Sequence, residues 1–403
     1  MRDRIEMVFV SYKASMSDSL ESVYLAAKAD PVCEAIWLPV PYYTRNPDGS
    51  LGEMHFEGAD CYGDDIKVTD WQAYDIEAQR PDVIFTFAPF DDFNLVTCIH
   101  PTYFCKNLYK FTNMLIYIPY FLAGNGIQEA NMAPGCVFAH RVIVQSEKTR
   151  ASYINLYKEI FHSVGDSFGK PEDKFVAIGS PKFDKTINSR REDFQLPDQW
   201  RDLIGKKKVV LYNSSLAAIL EGDARYLLKV LHVLETFRKR DDVVLWWRPH
   251  PLAQATYGSI RPQLLDKYEQ IVALYKAEGF GVFDDTTDLH RAIAWTDAYY
   301  GDVSSLIELY QAAGKPVMIA DVGVVTEGES WVADASAVES AHDMPYLHEN
   351  DMWRLIGYVD YVTMHMDEID PQKRKDRVVG FTHKDGTAGQ AICEYAKRHL
   401  SAA

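Results

Sequence analysis

The sequence predicts an α/β protein made of two Rossmann-like domains whose parallel sheets face a central cleft. Three observations predict it. Short apolar runs alternate with helix-period segments from one end to the other, the pattern of parallel strands joined by crossover helices. The 403 residues suffice for two to three domains at roughly 150 residues each. Hydrophobic residues are 47% and charged residues 25%, the ordinary composition of globular chains that bury a core.

Met7 to Val10 reads as the first strand. After it, Asp18-Ser-Leu-Glu21 sets an N-cap acid three residues before a glutamate, and Leu20, Val23, Tyr24 and Ala27 recur at helical spacing. Strands are expected at Ala35–Val40, Val83–Ala88, Leu115–Tyr120 and Val142–Gln145, the last followed by a helix over 147–163. Val176-Ala-Ile-Gly-Ser-Pro181 closes this half with a glycine and a proline, and from Thr186 to Trp200 the chain turns polar. The domain boundary is expected there, with residues 1–188 as the first domain and 205–385 as the second.

The second set starts with a strand at Val209–Tyr212 and a helix near 223–240, then a strand at Val243–Trp247 and a helix near 261–278. Strands at Gly281–Phe283, Ala298–Tyr300 and Pro316–Ala320, with a helix from Ser304 to Ala313, complete it. Further helices are expected near 351–366 and over 387–400.

Composition excludes several classes of function. Lys plus Arg total 42 against 58 Asp plus Glu, a formal charge of −16. Nucleic acid is therefore not an expected partner, because non-specific affinity for it comes mostly from cations neutralising phosphates. Six cysteines without a Cys-x-x-Cys pair suggest neither a zinc ribbon nor a disulfide framework. The N-terminus breaks its short apolar run with acids, unlike a signal peptide, and no run of about 18 apolar residues occurs. A cytoplasmic protein is expected. The basic clusters Lys206-Lys-Lys208 and Lys373–Arg377 are the segments that could meet anionic headgroups, but a solvated surface is the favoured reading of both.

In doubly wound sheets ligands sit beyond the carboxyl ends of the strands, so functional residues are sought in the loops that follow them. Asn213-Ser214-Ser215 follows one strand and can present N–H groups and hydroxyls to an anion, or simply enter a helix. Arg248-Pro-His250-Pro follows another. Its two prolines hold a guanidinium and an imidazole in extended backbone, where Arg can bind phosphate oxygens bidentately and His can donate to a phosphate or deliver a proton. Tyr300-Gly-Asp302-Val-Ser304-Ser305 opens a helix whose N–H groups and serines suit a pyrophosphate; ordinary capping by Asp302 or Ser304 explains the same residues. Glu308, one turn on, could reach a ribose hydroxyl or remain a solvated acid.

Neither a phosphate-binding loop ending in Lys-Ser/Thr nor Gly-x-Gly-x-x-Gly is present, which argues against an ATPase and a dinucleotide dehydrogenase. The acid pairs Asp91-Asp92 and Asp284-Asp285 lack the spacing of metal ligands, so no metal is expected. In the first half, Lys13 follows the first strand, and Ala88 to Pro101 sets Asp91, Asp92, Asn94 and His100 after another, as an acceptor or base site would need. Tyr120 ends a further strand. Packing explains these as well.

Arg248-Pro-His250-Pro, Asp302-Val-Ser304-Ser305 with Gly314-Lys-Pro-Val, and Gly179-Ser-Pro-Lys182-Phe-Asp184 together resemble the CDP-glycerol glycerophosphotransferase family, the teichoic acid primases and polymerases. The resemblance covers most of the second half and the Gly179–Asp184 junction. It implies the GT-B fold, with helix 386–403 crossing back to the first domain and that near 351–366 expected to do likewise. It implies transfer of glycerol phosphate, or a related polyol phosphate, from a CDP-activated donor to a hydroxyl of a lipid-linked or glycan acceptor, with CMP released. No cofactor is implied, and peripheral contact with the inner face of the plasma membrane is.

By this likeness Arg248, His250, Asp302, Ser304 and Ser305 hold the donor's phosphates, with Asn213, Ser214, Ser215 and Glu308 beside them. Lys13, Asp18 and Tyr120 belong to the acceptor side. The family's polymerases carry a Trp-His-Gly segment whose His is taken as the base, whereas this chain has Tyr117-Ile-Pro-Tyr-Phe there. His100 is the nearest substitute, with Asp18, Asp91 or Asp92 as others. Nucleotide-sugar glycosyltransferases and UDP-sugar 2-epimerases share Arg-Pro-His-Pro and a helix-capping Asp-Ser element, although epimerases usually follow it with Gly-Gly rather than Ser305. A non-catalytic polymer-binding module is the rival from another class, favoured by the missing Trp-His-Gly.

Overall fold

The computed structural model describes residues 4–400 except 47, 95, 124–125, 164–165, 287, 327–334, 351 and 379. The chain forms two compact units, Met1–Ile187 with Gly380–Ala403, and Asn188–Val379.

The first unit is built on strands β1 (Ile5–Ser11), β2 (Cys33–Pro39), β5 (Val83–Thr86), β7 (Met114–Tyr117), β8 (Arg141–Val144) and β9 (Phe175–Ala177). They form one parallel sheet in the order β2-β1-β5-β7-β8-β9. Its central strands are apolar on both faces, as sheets covered by helices on both sides require. Phe9 stacks on Phe85 at 4.7 Å between ring centroids, and Tyr24 from the helix Glu21–Ala29 meets Trp37 edge-on at 5.3 Å.

A second, antiparallel sheet joins β3 (Tyr42–Arg45), β4 (Leu51–His55) and β6 (Thr97–Ile99) in the order β4-β3-β6. The sequence gives no sign of it, because β3 and β4 are largely exposed or half-buried and lack clean alternation.

The expected capping box at Asp18–Glu21 does not form. Asp18 lies in a short 3₁₀ turn, Ala14–Ser19, and Glu21 pairs with Lys185 at 2.6 Å. The last helix, Ala388–Leu400, belongs to the first unit. Asp184 anchors its start by accepting from the N–H groups of Ala388 (3.0 Å) and Gly389 (2.6 Å) and from the Ser22 hydroxyl (2.8 Å). The expected boundary at 385 moves back to Gly380, because Gln145 donates to the Gly380 carbonyl at 3.0 Å and Phe381 stacks on Phe183 at 4.2 Å. Residues 191–193, left between the expected domains, join the second unit through Arg191, which pairs with Asp297 at 2.8 Å.

His140 precedes β8 and accepts the Leu115 N–H on Nδ1 at 2.8 Å. Burial, then the charges of Lys174 and Arg141, lower its pKa to about 4. An unfolded histidine titrates near 6.5, so below that pH the unfolded chain binds a proton that the folded chain refuses. The stability this gives is fully present above about 6.5 and drains away as pH falls towards 4. A loss of roughly 2–3 kcal/mol across that window is expected, and it should be missing in His140→Gln. Urea midpoints of both proteins at pH 7 and 4.5 check this; equal acid losses contradict it.

The second unit holds β10 (Lys208–Ser214), β11 (Val243–Pro249), β12 (Val282–Phe283), β13 (Ala298–Gly301), β14 (Val317–Ile319) and β15 (Leu347–His348). All pair in parallel, in the order β12-β11-β10-β13-β14-β15. Tyr212, Trp247 and Tyr300 fill its core with the helices Ala224–Arg238 and Pro262–Glu278. The segment expected as a helix over 351–366 lies within the second unit, Asn188–Val379. Position 351 lies outside the described residues, and the helix proper, Leu355–Asp360, packs into the second core, where the Tyr358 hydroxyl donates to the Tyr299 carbonyl at 2.9 Å. Among the described residues no helix is long and apolar enough to cross a membrane.

Candidate functional site

In the second sheet the strand order reverses between β10 and β13, and the crevice beyond their carboxyl ends is where such sheets take ligands. Register aligns Asn213 of β10 with Arg248 of β11 on one side and Gly301 of β13 on the other. Arg248, Asn213 and Gly301 thus form one row at the sheet's edge. The structure brings together, at this crevice, residues that stand about 90 positions apart in sequence.

Gly301 is required there. Its φ is +150°, and a Cβ would lie 2.3 Å from the Asn213 carbonyl oxygen. Gly301→Ala is expected to cost about 2–3 kcal/mol through backbone strain and overpacking. A melting temperature equal to that of the unmodified chain would contradict this.

Arg248 extends from β11 with a side chain only 11% exposed. Its Nη1 donates to Asp284 at 2.7 Å and its Nη2 to the Thr286 carbonyl at 2.7 Å. Asp284 is fully buried and also accepts from Trp246 Nε1 (3.0 Å), from the Thr286 N–H (3.1 Å) and hydroxyl (2.6 Å), and from Arg291 (3.4 Å). Two guanidiniums therefore share one buried carboxylate, and the group carries a surplus positive charge beside the row. Desolvated cations interact strongly with an incoming anion, since little water screens them.

His250 follows β11 and is half-buried. Its Nδ1 accepts the Leu252 N–H at 3.1 Å, so the neutral ring carries its proton on Nε2. Burial lowers its pKa, which favours that neutral donor form at pH 7. The side chain is thus a hydrogen-bond donor held in fixed orientation.

Asp302 does not cap the following helix. Its buried carboxylate accepts on Oδ2 from the Ser215 N–H (2.6 Å) and the Tyr226 hydroxyl (2.8 Å). Instead it ties the loop after β13 to the loop after β10. Burial raises its pKa. Tyr299 completes the tie, accepting from Asn213 Nδ2 at 3.1 Å and donating to the Asp302 carbonyl. Ser214 is buried and accepts from Trp247 Nε1 at 3.2 Å, while Ser215 caps the helix Leu216–Gly222.

The helix after β13 spans Leu306–Ala312, beginning two residues later than expected. Ser304 is half-buried and its hydroxyl accepts the Leu306 N–H at 3.2 Å; Ser305 is exposed, and Glu308 lies half-buried in the first turn. Sequence reasoning missed Asp284, Thr286, Arg291, Tyr226 and Tyr299. The signal for Asp284 was its place directly after a strand.

In the first unit the candidates divide. Asp91, at φ +49°, is buried, and its oxygens accept from the N–H groups of Cys105 (2.6 Å) and Lys106 (3.3 Å). It anchors a helix start, and burial raises its pKa to about 6. Asp18 is bound by Lys182 at 2.7 Å, an ion pair with both side chains largely buried. His100 accepts the Thr102 N–H on Nδ1 at 3.4 Å and lies among the rings of Tyr43, Trp71 and Tyr103. In the neutral form its proton is then on Nε2. Lys13, 5.0 Å above the Tyr42 ring, and Tyr120 are half-buried at the ends of β1 and β7.

The sequence matches no protein-family model and no curated protein. Solved structures do match. A UDP-N-acetylglucosamine 2-epimerase superposes with TM-score 0.61 at 12% identity, over 100% of this chain and 98% of that one. The wall teichoic acid polymerase TagF gives 0.54 at 15% identity, over 98% and 89%. The S. aureus MnaA–UDP co-structure gives 0.54 at 12%, over 98% and 97%. The fold is GT-B, two Rossmann-like units.

Proposed function

We propose that the second unit is the donor seat of a transferase that moves glycerol phosphate, or a related polyol phosphate, from a CDP-activated donor to a hydroxyl of a lipid-linked or glycan acceptor. The acceptor oxygen bonds to the β-phosphorus, the bond from that phosphorus to the bridging oxygen breaks, CMP leaves, and the acceptor proton passes to solvent. The surplus charge of Arg248 and Arg291 over Asp284 carries this reading. In such transfers charge shifts onto the leaving phosphate, and catalysis is mostly positioning and charge stabilisation. On this reading Arg248 contributes its positive charge and His250 its Nε2–H to that phosphate, and the Ser304–Ser305 turn adds hydroxyls.

A soak of TagF with CDPG and the UDP complex of MnaA support a nucleotide-activated donor on this fold. Cytidine is favoured by the resemblance of the Arg248–Pro251 and Asp302–Ser305 segments to the glycerophosphotransferases. The higher TM-score with the 2-epimerase supports a second reading, a UDP-sugar enzyme using the same seat.

Phosphorus NMR of full-length protein with CDP-glycerol and a glycerol-phosphate-primed acceptor tests the proposal. CMP and a new phosphodiester should appear together, and His250→Ala should slow both about 10²-fold. Unchanged CDP-glycerol alongside epimerised UDP-N-acetylglucosamine would overturn it.

A further inference from the structure

The first unit contains an open cleft of about 680 Å³, bordered by all three residues of β9, the edge strand of its sheet. None of its residues belongs to the donor seat. Its walls carry aromatic rings in stacked pairs. Tyr109 stacks on His140 with centroids 4.6 Å apart at 19°, and Tyr395 stacks on His399 at 3.9 Å and 28°. Phe168 stands edge-on to Tyr109 at 6.0 Å.

The charges of the walls do not balance. Glu147 is neutralised by Arg150 at 3.2 Å, and Glu172 by Lys158. Among the described residues Arg141, Lys170 and Lys174 form no ion pair, which leaves three cations against Asp173. Lys174 is 1% exposed, and among the described residues its ammonium donates to the carbonyls of Val137 (3.0 Å) and Ala139. A buried ammonium without a counter-charge is costly, and its pKa is lowered to about 8 by that burial. Arg141 is fixed by Nε to the Tyr395 hydroxyl (2.9 Å) and Nη1 to the His140 carbonyl (2.8 Å), with Nη2 unspent.

We propose that this cleft binds a soluble small molecule carrying a phosphate on an aromatic or heteroaromatic framework. Arg141 and Lys170 meet the phosphate, Lys174 supplies charge from beneath, and the stacked Tyr–His pairs take the ring. A lipid headgroup offers the phosphate but no ring for the aromatic walls.

Calorimetric titration of the full chain with AMP as probe, and with adenosine and ribose 5-phosphate separately, tests this. AMP should saturate the site, and each fragment should bind at least about ten-fold more weakly. Arg141→Gln and Lys170→Gln should each weaken AMP by about ten-fold or more. Because a nucleotide can also enter the donor seat, Arg248→Gln is the control, and it should leave this binding unchanged. Lys170 is exposed, so Lys170→Gln decides the matter if Arg141→Gln fails to fold. No saturation at about 1 mM AMP, or binding lost in Arg248→Gln and kept in Lys170→Gln, overturns the proposal.

Discussion

Arg248→Lys is expected to lower turnover of the CDP-activated donor by about 10²–10³-fold while leaving the melting temperature within a few degrees. A lysine keeps the charge but lacks the planar fork that spans Asp284 and the Thr286 carbonyl at once. The retained ammonium can still pair with Asp284, so no buried carboxylate is stranded and the fold survives. On the proposed function, what is lost is the guanidinium geometry that stabilises the leaving phosphate. Steady-state rates and thermal melts on the same preparation separate the two effects. A variant with full activity would remove Arg248 from the chemistry.

The largest stability effect is expected from Glu349→Ala. Glu349 and Lys229 form an ion pair with side chains 0% and 1% exposed, 2.5 Å apart. The same carboxylate accepts from the Tyr300 hydroxyl (3.0 Å) and the Asp321 N–H (2.8 Å). It therefore fastens β13, one residue before Gly301, to the chain after β14 and to the helix Ala224–Arg238. Removing it strands a buried ammonium, a change that costs about 3–5 kcal/mol. Denaturant unfolding should show that loss, and Lys229→Met combined with Glu349→Leu should recover much of it, because the pair itself adds little net stability. A loss under about 1 kcal/mol for the single variant would contradict the account.

The alternation of strands and helices was legible because the central strands are buried on both faces. Val243-Val-Leu-Trp-Trp247 and Val209-Val-Leu-Tyr212 read as apolar runs for that reason. The small antiparallel sheet was not legible, since its strands are half-exposed and polar. The strand ends bearing Asn213 and Arg248 and the loop bearing Asp302 were found from the expected strand ends alone, but not what their side chains do. Asp284, set aside as one of a loop acid pair, turns out to hold Arg248 from 36 residues away, a pairing no local pattern encodes. Asp91 and Asp302 carry the residue types of chemistry, yet Asp91 accepts two backbone N–H groups and Asp302 a backbone N–H and a tyrosine hydroxyl, partners that only the fold brings near. The protonated nitrogens of His100 and His250 depend on neighbouring amides and were equally hidden.

The central claim is that the crevice between β10 and β13 holds a cytidine-activated polyol phosphate. Calorimetric titration of the full chain with CDP-glycerol and with UDP-N-acetylglucosamine, repeated on Arg248→Gln, tests it most directly. Saturable binding of CDP-glycerol, at least about ten-fold tighter than the uridine ligand and weakened by the substitution, is the predicted result. Tighter binding of UDP-N-acetylglucosamine, or CDP-glycerol binding that Arg248→Gln leaves unchanged, would contradict it.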